Sequence, residues 1–173
     1  MSWQNVNIKD LSLNPMTMIS DEWCLIAAGN KKRGYNGMTA SWGHLGALWG
    51  HGKGYPTASV YIRPQRYTKE FIDRENTFTL SVLGNDHKKQ LAYMGSHSGR
   101  DGDKIAAAGL APVFAEDTVY FDEARLVFIC RKLYHAPLQE SGFVDTHLIE
   151  ENYPQRDFHE IYVGQIVKVL AKE

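Results

Sequence analysis

The sequence predicts a mainly β fold: an antiparallel, Greek-key-like barrel, closed or nearly closed, with short helices inserted between its strands. Three observations carry this. Six or seven segments are alternating or compactly apolar in the manner of strands, and only two or three short stretches have helical spacing. The strands and helices also follow one another too irregularly for a doubly wound parallel sheet.

Residues 1–20 mix Asn, Asp and Ser with scattered apolar residues; Asn14-Pro15 marks a turn and Trp3 is a candidate anchor. The apolar run 23–29 reads as a buried strand closed by Gly29 and a charged turn, Asn30 to Arg33. It forms a hairpin with the next stretch, 36–43. At period two that stretch sets Thr39 and Ser41 on one face and Met38, Ala40 and Trp42 on the other. With Gly37 and Gly43 near its ends, a flat polar ligand could lie close to its hydroxyls and peptide N–H groups. The alternative is that these small residues merely pack beneath a neighbour.

Residues 43–54 are rich in Gly, His and Trp without a period and read as a mobile loop suited to covering a substrate. The run Gly50-His51-Gly52-Lys53-Gly54 precedes a strand and does not join a strand to a helix, so it is not a dinucleotide loop. The strand 57–63 is stopped by Pro64, and Thr68 is the expected N-cap of a short helix carrying Phe71 and Ile72 on its apolar side. Residues 77–83 alternate hydroxyls with Phe, Leu and Val. Asn85 caps a predicted helix over 86–94, with Leu91 and Met94 inward and Lys88 and Lys89 outward. A shorter helix over 104–108 ends at Gly109. Strands over 118–121, 124–134 and 161–170 complete a single expected domain, 1–173.

With 43% hydrophobic and 23% charged residues the composition is that of a globular protein. Nineteen basic against 20 acidic side chains, with no basic run, exclude a phosphate-tracking surface, so nucleic acid is not an expected partner. Cys24 and Cys130 each sit in an apolar run and read as buried small hydrophobes, consistent with a reducing compartment. No apolar segment of signal-peptide or membrane-spanning length is present, so a cytoplasmic protein without a membrane partner is expected. The seven histidines lack metal-ligand spacing and G-x-S-x-G is absent, so neither a metal nor a serine nucleophile is expected.

Two segments carry candidate chemistry. Ser96-His97-Ser98-Gly99-Arg100-Asp101-Gly102-Asp103-Lys104 offers backbone N–H groups, hydroxyls, a guanidinium fork and an ammonium, a donor set suited to a phosphate. The alternative is a solvated loop in which Arg100 pairs with a neighbouring aspartate. Arg63-Pro64-Gln65-Arg66-Tyr67-Thr68 places two arginines three apart ahead of a helix start; they either grip an anion or cover the barrel rim.

Taken together with Asn36 to Gly43 and Asp157-Phe158-His159-Glu160-Ile161-Tyr162-Val163-Gly164, these blocks resemble, in order, the flavin reductase-like proteins, most closely the flavoredoxin-type branch. The resemblance implies an FMN-binding split barrel working as a homodimer with the flavin near the interface. It implies that Asn36, Met38, Thr39, Ala40, Ser41 and Trp42 lie along the ring. Ile62, Arg63, Arg66, Tyr67 and Thr68, with Ser96, His97, Ser98, Gly99, Arg100, Asp101 and Lys104, then hold the ribityl and phosphate end. His159 is the implied catalytic residue beside the ring. The implied activity is hydride acceptance from NADH or NADPH on bound FMN, with electrons passed to a small-molecule or protein acceptor. The alternative is a flavoredoxin-like electron carrier or sensor without intrinsic NAD(P)H oxidation, and a more distant one is a split barrel holding haem or another ligand. One departure is the segment 43–54, which stands where free-flavin reductases carry a proline-rich corner.

Overall fold

The structure, a computed structural model, describes residues 2–115 and 117–172. In chain order the elements are β1 (Trp3–Asn5), α1 (Pro15–Thr17), β2 (Cys24–Asn30), β3 (Gly34–Ala40), β4 (Gly43–Leu48) and β5 (Tyr55–Ile62), then α2 (Tyr67–Arg74), β6 (Thr77–Val82), α3 (Lys88–Ser96) and α4 (Lys104–Ala107). The short pair β7 (Pro112–Ala115) and β8 (Thr118–Phe121) follows, and then β9 (Leu126–Pro137), α5 (His147–Asn152) and β10 (Glu160–Lys172).

The main sheet runs β3-β2-β6-β9-β10-β5-β4, with β1 also on β10, and every recorded pairing is antiparallel. Its two ends are consecutive in sequence: the chain passes from β3 to β4 through Ser41 and Trp42, and the two strands do not pair. The barrel is therefore split at that point. Long β10 bends where Gly164 meets Lys132 after Val163 meets Tyr134, and again where Val167 has no partner between Ile166 and Lys168. Such bulges increase local twist and let one strand serve two sides of a barrel.

Strands β2 and β6 and the first half of β9, Leu126 to Cys130, are buried on both faces because two apolar layers flank them. Ile26, Met38, Val60, Ile62, Phe78, Phe128 and Tyr162 fill the barrel, and Phe71 and Ile72 of α2 plug it. On the other face Leu25, Val127 and Ile129 pack under Leu91 and Met94 of α3, Ile105 of α4 and Phe121 of β8. This explains why 77–83 alternates without being amphipathic: Thr79 and Ser81 are also fully buried, and the Thr79 hydroxyl donates to the Val119 carbonyl at 2.6 Å. Both cysteines are free and buried, and burial pushes the Cys24 thiol up to about 12. Among the described residues no helix is long and apolar enough to cross a membrane.

Several expectations are corrected. The first half of 43–54 is the strand β4, paired with β5 from Gly43↔Val60 to Leu48↔Tyr55, followed by a turn with positive φ at Trp49, Gly50 and Gly52. As an edge strand with His44, Gly46, Ala47 and Leu48 exposed, it has no buried face to impose an alternating pattern. Thr68 is not the N-cap of α2. Arg66 holds that position without a side-chain bond, and Thr68 is buried, its hydroxyl accepting a hydrogen bond from Asn36 Nδ2 at 2.9 Å. Asn14-Pro15 starts a helix rather than a plain turn, with Asn14 Oδ1 accepting from the Met16 N–H and Pro15 in the first turn. Strand β7 and helix α5 were not expected.

Candidate functional site

The end of β3, the β5–α2 corner and the α3–α4 turn converge on one groove. Its first part, about 230 Å³, is lined by Met38, Thr39, Ala40, Ser41 and Trp42 together with Tyr61, Arg63, Arg66 and His159. Its second part, about 410 Å³, shares Met38, Arg63 and Arg66 and adds Gln65, Tyr67, Thr68, Ser96, His97, Ser98 and Lys104. Met38 reaches the groove because it sits at the barrel top, 6% exposed, with its side chain in the core layer.

The cationic end is set up by helix termini. The Lys104 ammonium lies beneath the turn after α3 and donates to the carbonyls of Met94 at 2.9 Å and His97 at 3.0 Å, groups that the helix end leaves without partners. Burial, with the charge of Arg66 second, pushes it down to about 8. Arg66 donates to the Gly95 carbonyl at 3.0 Å on the same turn. Among the described residues neither cation has a carboxylate within ion-pair distance. Arg63, by contrast, is bound to Asp157 Oδ2 at 2.7 Å and the Asn152 carbonyl at 2.7 Å, and its guanidinium lies 5.1 Å from the centre of the Tyr153 ring. Gln65 also donates to Asp157 Oδ2, at 2.8 Å; Gln65 and then Arg63 hold the Asp157 carboxyl below its ordinary value. That pairing ties the chain after α5 to the β5 corner. The groove therefore keeps two uncompensated positive charges, the donor set that an anion such as a phosphate requires.

The other end is aromatic and neutral. The His159 ring is half-buried, 4.9 Å from the Trp42 ring centre, and its Nδ1 lies 2.8 Å from the Tyr153 hydroxyl. Burial, and after it Arg63, pushes the imidazole down to about 4, so it is neutral at physiological pH. The Tyr153–Nδ1 contact holds the ring in place and leaves Nε2 as the ring nitrogen without a side-chain partner among the described residues.

The structure gathers Met38, Thr39, Ala40, Ser41, Trp42, Arg63, Arg66, Tyr67, Thr68, Ser96, His97, Ser98, Lys104 and His159 along this groove. The remaining candidates lie elsewhere. Ile62 is fully buried in the barrel, and Asn36 is occupied with Thr68. Gly99 packs against Asn36 and Tyr67 so closely that a Cβ there would lie 2.5 Å from Asn36 Oδ1. Arg100 turns away to Glu70 at 2.5 Å and to the Gln65 carbonyl at 3.0 Å, its guanidinium over the Tyr67 ring; Asp101 is exposed in the same turn. The Thr39 hydroxyl is already spent, donating to the Leu91 carbonyl at 2.5 Å. Sequence reasoning missed Tyr61, Tyr153 and Asp157. The available signal was the paired Arg63 and Arg66, which required a counter-charge for whichever of them was not used on a ligand.

The model of the flavin reductase-like domain matches residues 16–173, nearly the whole chain. No curated protein matches. Among solved structures the chain is similar to an FMN-binding domain of a flavin reductase-like enzyme from Shewanella baltica OS155, at 14% identity over 98% of this chain and 77% of that one, with a TM-score of 0.67. It is similar to the flavoredoxin of Desulfovibrio vulgaris (Miyazaki F) at 22% identity, over 87% and 69% of the two chains, TM-score 0.64. An NADH:FAD oxidoreductase of Streptomyces globisporus C-1027 follows at 16% identity, over 87% and 75%, TM-score 0.64. These likenesses show the split-barrel fold of FMN-binding domains. With the domain model spanning the barrel, the groove and both of its ends, the chain belongs to the flavin reductase-like family.

Proposed function

We propose that this protein binds FMN in the groove and acts as a flavin-dependent oxidoreductase that draws its electrons from NADH or NADPH and passes them to a further acceptor. The observation that carries this reading is the pairing of two uncompensated cations, Arg66 and Lys104, at one end of a groove whose other end is a neutral, half-buried His159 beside Trp42. The donor set fits the cofactor. Arg66, Lys104 and the turn 96–98 would hold the phosphate and ribityl chain, and residues 38–42 would lie along the ring.

When bound, FMN supplies two-electron chemistry that no side chain here provides. The protein's part is to bind, orient and tune. Met38 to Trp42, at the end of edge strand β3 and its exit, line the groove, where backbone N–H donors would favour charge developing on a ligand. Tyr153 positions the neutral His159 ring beside Trp42. Trp42 and Met38 supply apolar surface to the first part of the groove.

We also propose that the working form is a homodimer. Support comes from exposed apolar side chains at the tip of the β4–β5 hairpin, Leu48 at 43%, Trp49 at 48% and Tyr55 at 42%. Light scattering of the wild type and of Trp49→Glu tests this, and a monomeric wild type refutes it.

The test of the main reading is an anaerobic absorption spectrum of the protein with FMN, before and after NADH and then NADPH. Bound flavin that bleaches with either coenzyme supports the reductase. Flavin that binds and stays oxidised with both identifies a carrier reduced by a partner protein, and failure to bind FMN removes both readings.

A further inference from the structure

The groove does not end at Trp42. Beyond Ser41, Trp42 and Tyr61 it opens into a second chamber of about 410 Å³, closed on its far side by Pro15, Met16 and Ile19 from the N-terminal segment, Leu45 of β4 and Leu138 just after β9. Among the described residues no Lys, Arg, Asp or Glu lines it. The contrast with the other end of the same groove, where Arg63, Arg66 and Lys104 meet, is complete.

The chamber's polar atoms are not spread evenly. Tyr153 lines it, yet the Tyr153 hydroxyl is bonded to Nδ1 of His159, which lines the groove and not the chamber. Ser41 and Tyr61 line both. The boundary between the two spaces is therefore polar and the chamber's far wall is apolar except for Ser20, whose hydroxyl is bonded to Asp21. The imidazole of His44, also in the lining, lies 3.3 Å through Nδ1 from the Tyr61 hydroxyl.

An ionic ligand entering this space would give up hydration with no opposite charge to replace it, whereas an apolar ring would leave water for Met16, Ile19, Leu45 and Leu138. The pyrophosphate of a nicotinamide coenzyme has no counter-charge here. We propose that the chamber is the binding site of the second substrate and that this substrate is an uncharged ring compound, its polar substituent toward the Tyr61–Tyr153 boundary and its ring against the N-terminal wall. The assignment rests on the flavin reading above for the word "substrate", and on the chamber alone for the class of ligand.

The experiment is calorimetric titration of the full chain, with and without FMN, using two redox-inert probes of the same ring and opposite charge status, 2-naphthol and naphthalene-2-sulfonate at neutral pH. The expected result is binding of the naphthol, with the sulfonate weaker by about tenfold or more. Met16 is 76% exposed, so Met16→Lys leaves the fold intact. That variant should tighten the sulfonate and weaken the naphthol, bringing the two affinities together. Leu138→Asp should weaken the naphthol and exclude the sulfonate further. Equal affinity of the two probes in the wild type, no naphthol binding, or affinities unmoved by both variants would overturn the proposal. FMN affinity measured in the same samples separates the two readings. FMN binding without naphthol binding removes the chamber assignment alone, and naphthol binding without FMN binding removes the flavin reading and leaves the ligand class standing.

Discussion

Lys104 gives the flavin reading a quantitative handle, because the group that would meet a phosphate is also the one whose proton is least secure. Its ammonium is 6% exposed and pushed down to about 8, and it donates to two carbonyls without a carboxylate partner. A phosphate monoester with its second ionisation near pH 6 is a dianion at and above pH 7. If only the protonated lysine completes the site, the competent fraction is roughly 0.9 at pH 7 and roughly 0.1 at pH 9, and apparent affinity scales with that fraction. FMN binding, followed by quenching of its fluorescence, is therefore expected to weaken about tenfold over those two units and to stay flat over them in Lys104→Met. Stability moves the other way. The folded-state value lies below the ordinary 10.5, so between about 8 and 10.5 the unfolded chain holds a proton that the folded one has lost. Stability from this group therefore rises with pH across that window, by about 3 kcal/mol when complete. Urea titrations of wild type and Lys104→Met isolate this term by difference. An FMN affinity that is the same at pH 7 and pH 9 in the wild type refutes the placement of Lys104 at the phosphate.

Arg66→Ala should weaken FMN binding by about 1.5–3 kcal/mol, the loss of a charge-assisted hydrogen bond, while Arg100→Ala leaves it nearly unchanged because Arg100 is engaged with Glu70 and Gln65 outside the groove; equilibrium titration of both variants ranks them. With the His159 imidazole at about 4, its ring adds no step near pH 6.5 to the rate of flavin reduction, and a step there that vanishes in His159→Gln would contradict its buried neutral state. The same depression means that the folded ring refuses a proton the unfolded chain accepts, so this contribution to stability is lost as pH falls from about 6.5 to about 4, and acid titration should show a larger loss in the wild type than in His159→Gln. Gly164→Ala would set a Cβ 2.6 Å from Phe78 Cε1 and 2.8 Å from Cys130 Cβ, opposite the β9 bulge at Leu133; an overpacking cost of about 1–3 kcal/mol or more is expected in urea denaturation.

What the sequence makes legible follows from how each segment is buried. The strands β2, β6 and β9 announce themselves because both faces are apolar or hydroxyl-bearing and tightly packed, and Ile166-Val167 even breaks alternation at the place where β10 bulges. Strand β4 stays silent for the opposite reason, since one neighbour and open exposure impose no pattern. In the site, the donor types were readable and their assignments were not. Arg63, Arg66, Arg100 and Lys104 are all cations near turns; which of them is free depends on Asp157, 94 residues from Arg63, and on Glu70, 30 residues from Arg100. The hydroxyl row of β3 is real, but whether Thr39 is available is decided by the Leu91 carbonyl of a helix 52 residues away. Tyr153 is meaningful only once α5 brings it to His159.

The groove lies where the sheet stops, and that position reconciles a rigid scaffold with an accessible site. Strands inside the path have hydrogen-bonded neighbours on both sides, and β2 and β6 carry apolar layers on both faces as well, so little of their surface remains for a ligand. The two ends of the path, β3 and β4, have one neighbour each, and the residues at their junction, Ser41 and Trp42, are exposed. Outer-edge peptide groups must be covered, blunted or used. Here the edge is flanked by side chains from elements that the packed core holds in place: Arg63 and Arg66 at the β5–α2 corner, Lys104 under the α3 terminus, and His159 at the entry to β10. Charge gathers at one end because three helix and strand termini converge there. The other end is apolar because the chain entering β2 folds α1 over it, so a single split in the barrel presents a charged end and an apolar end.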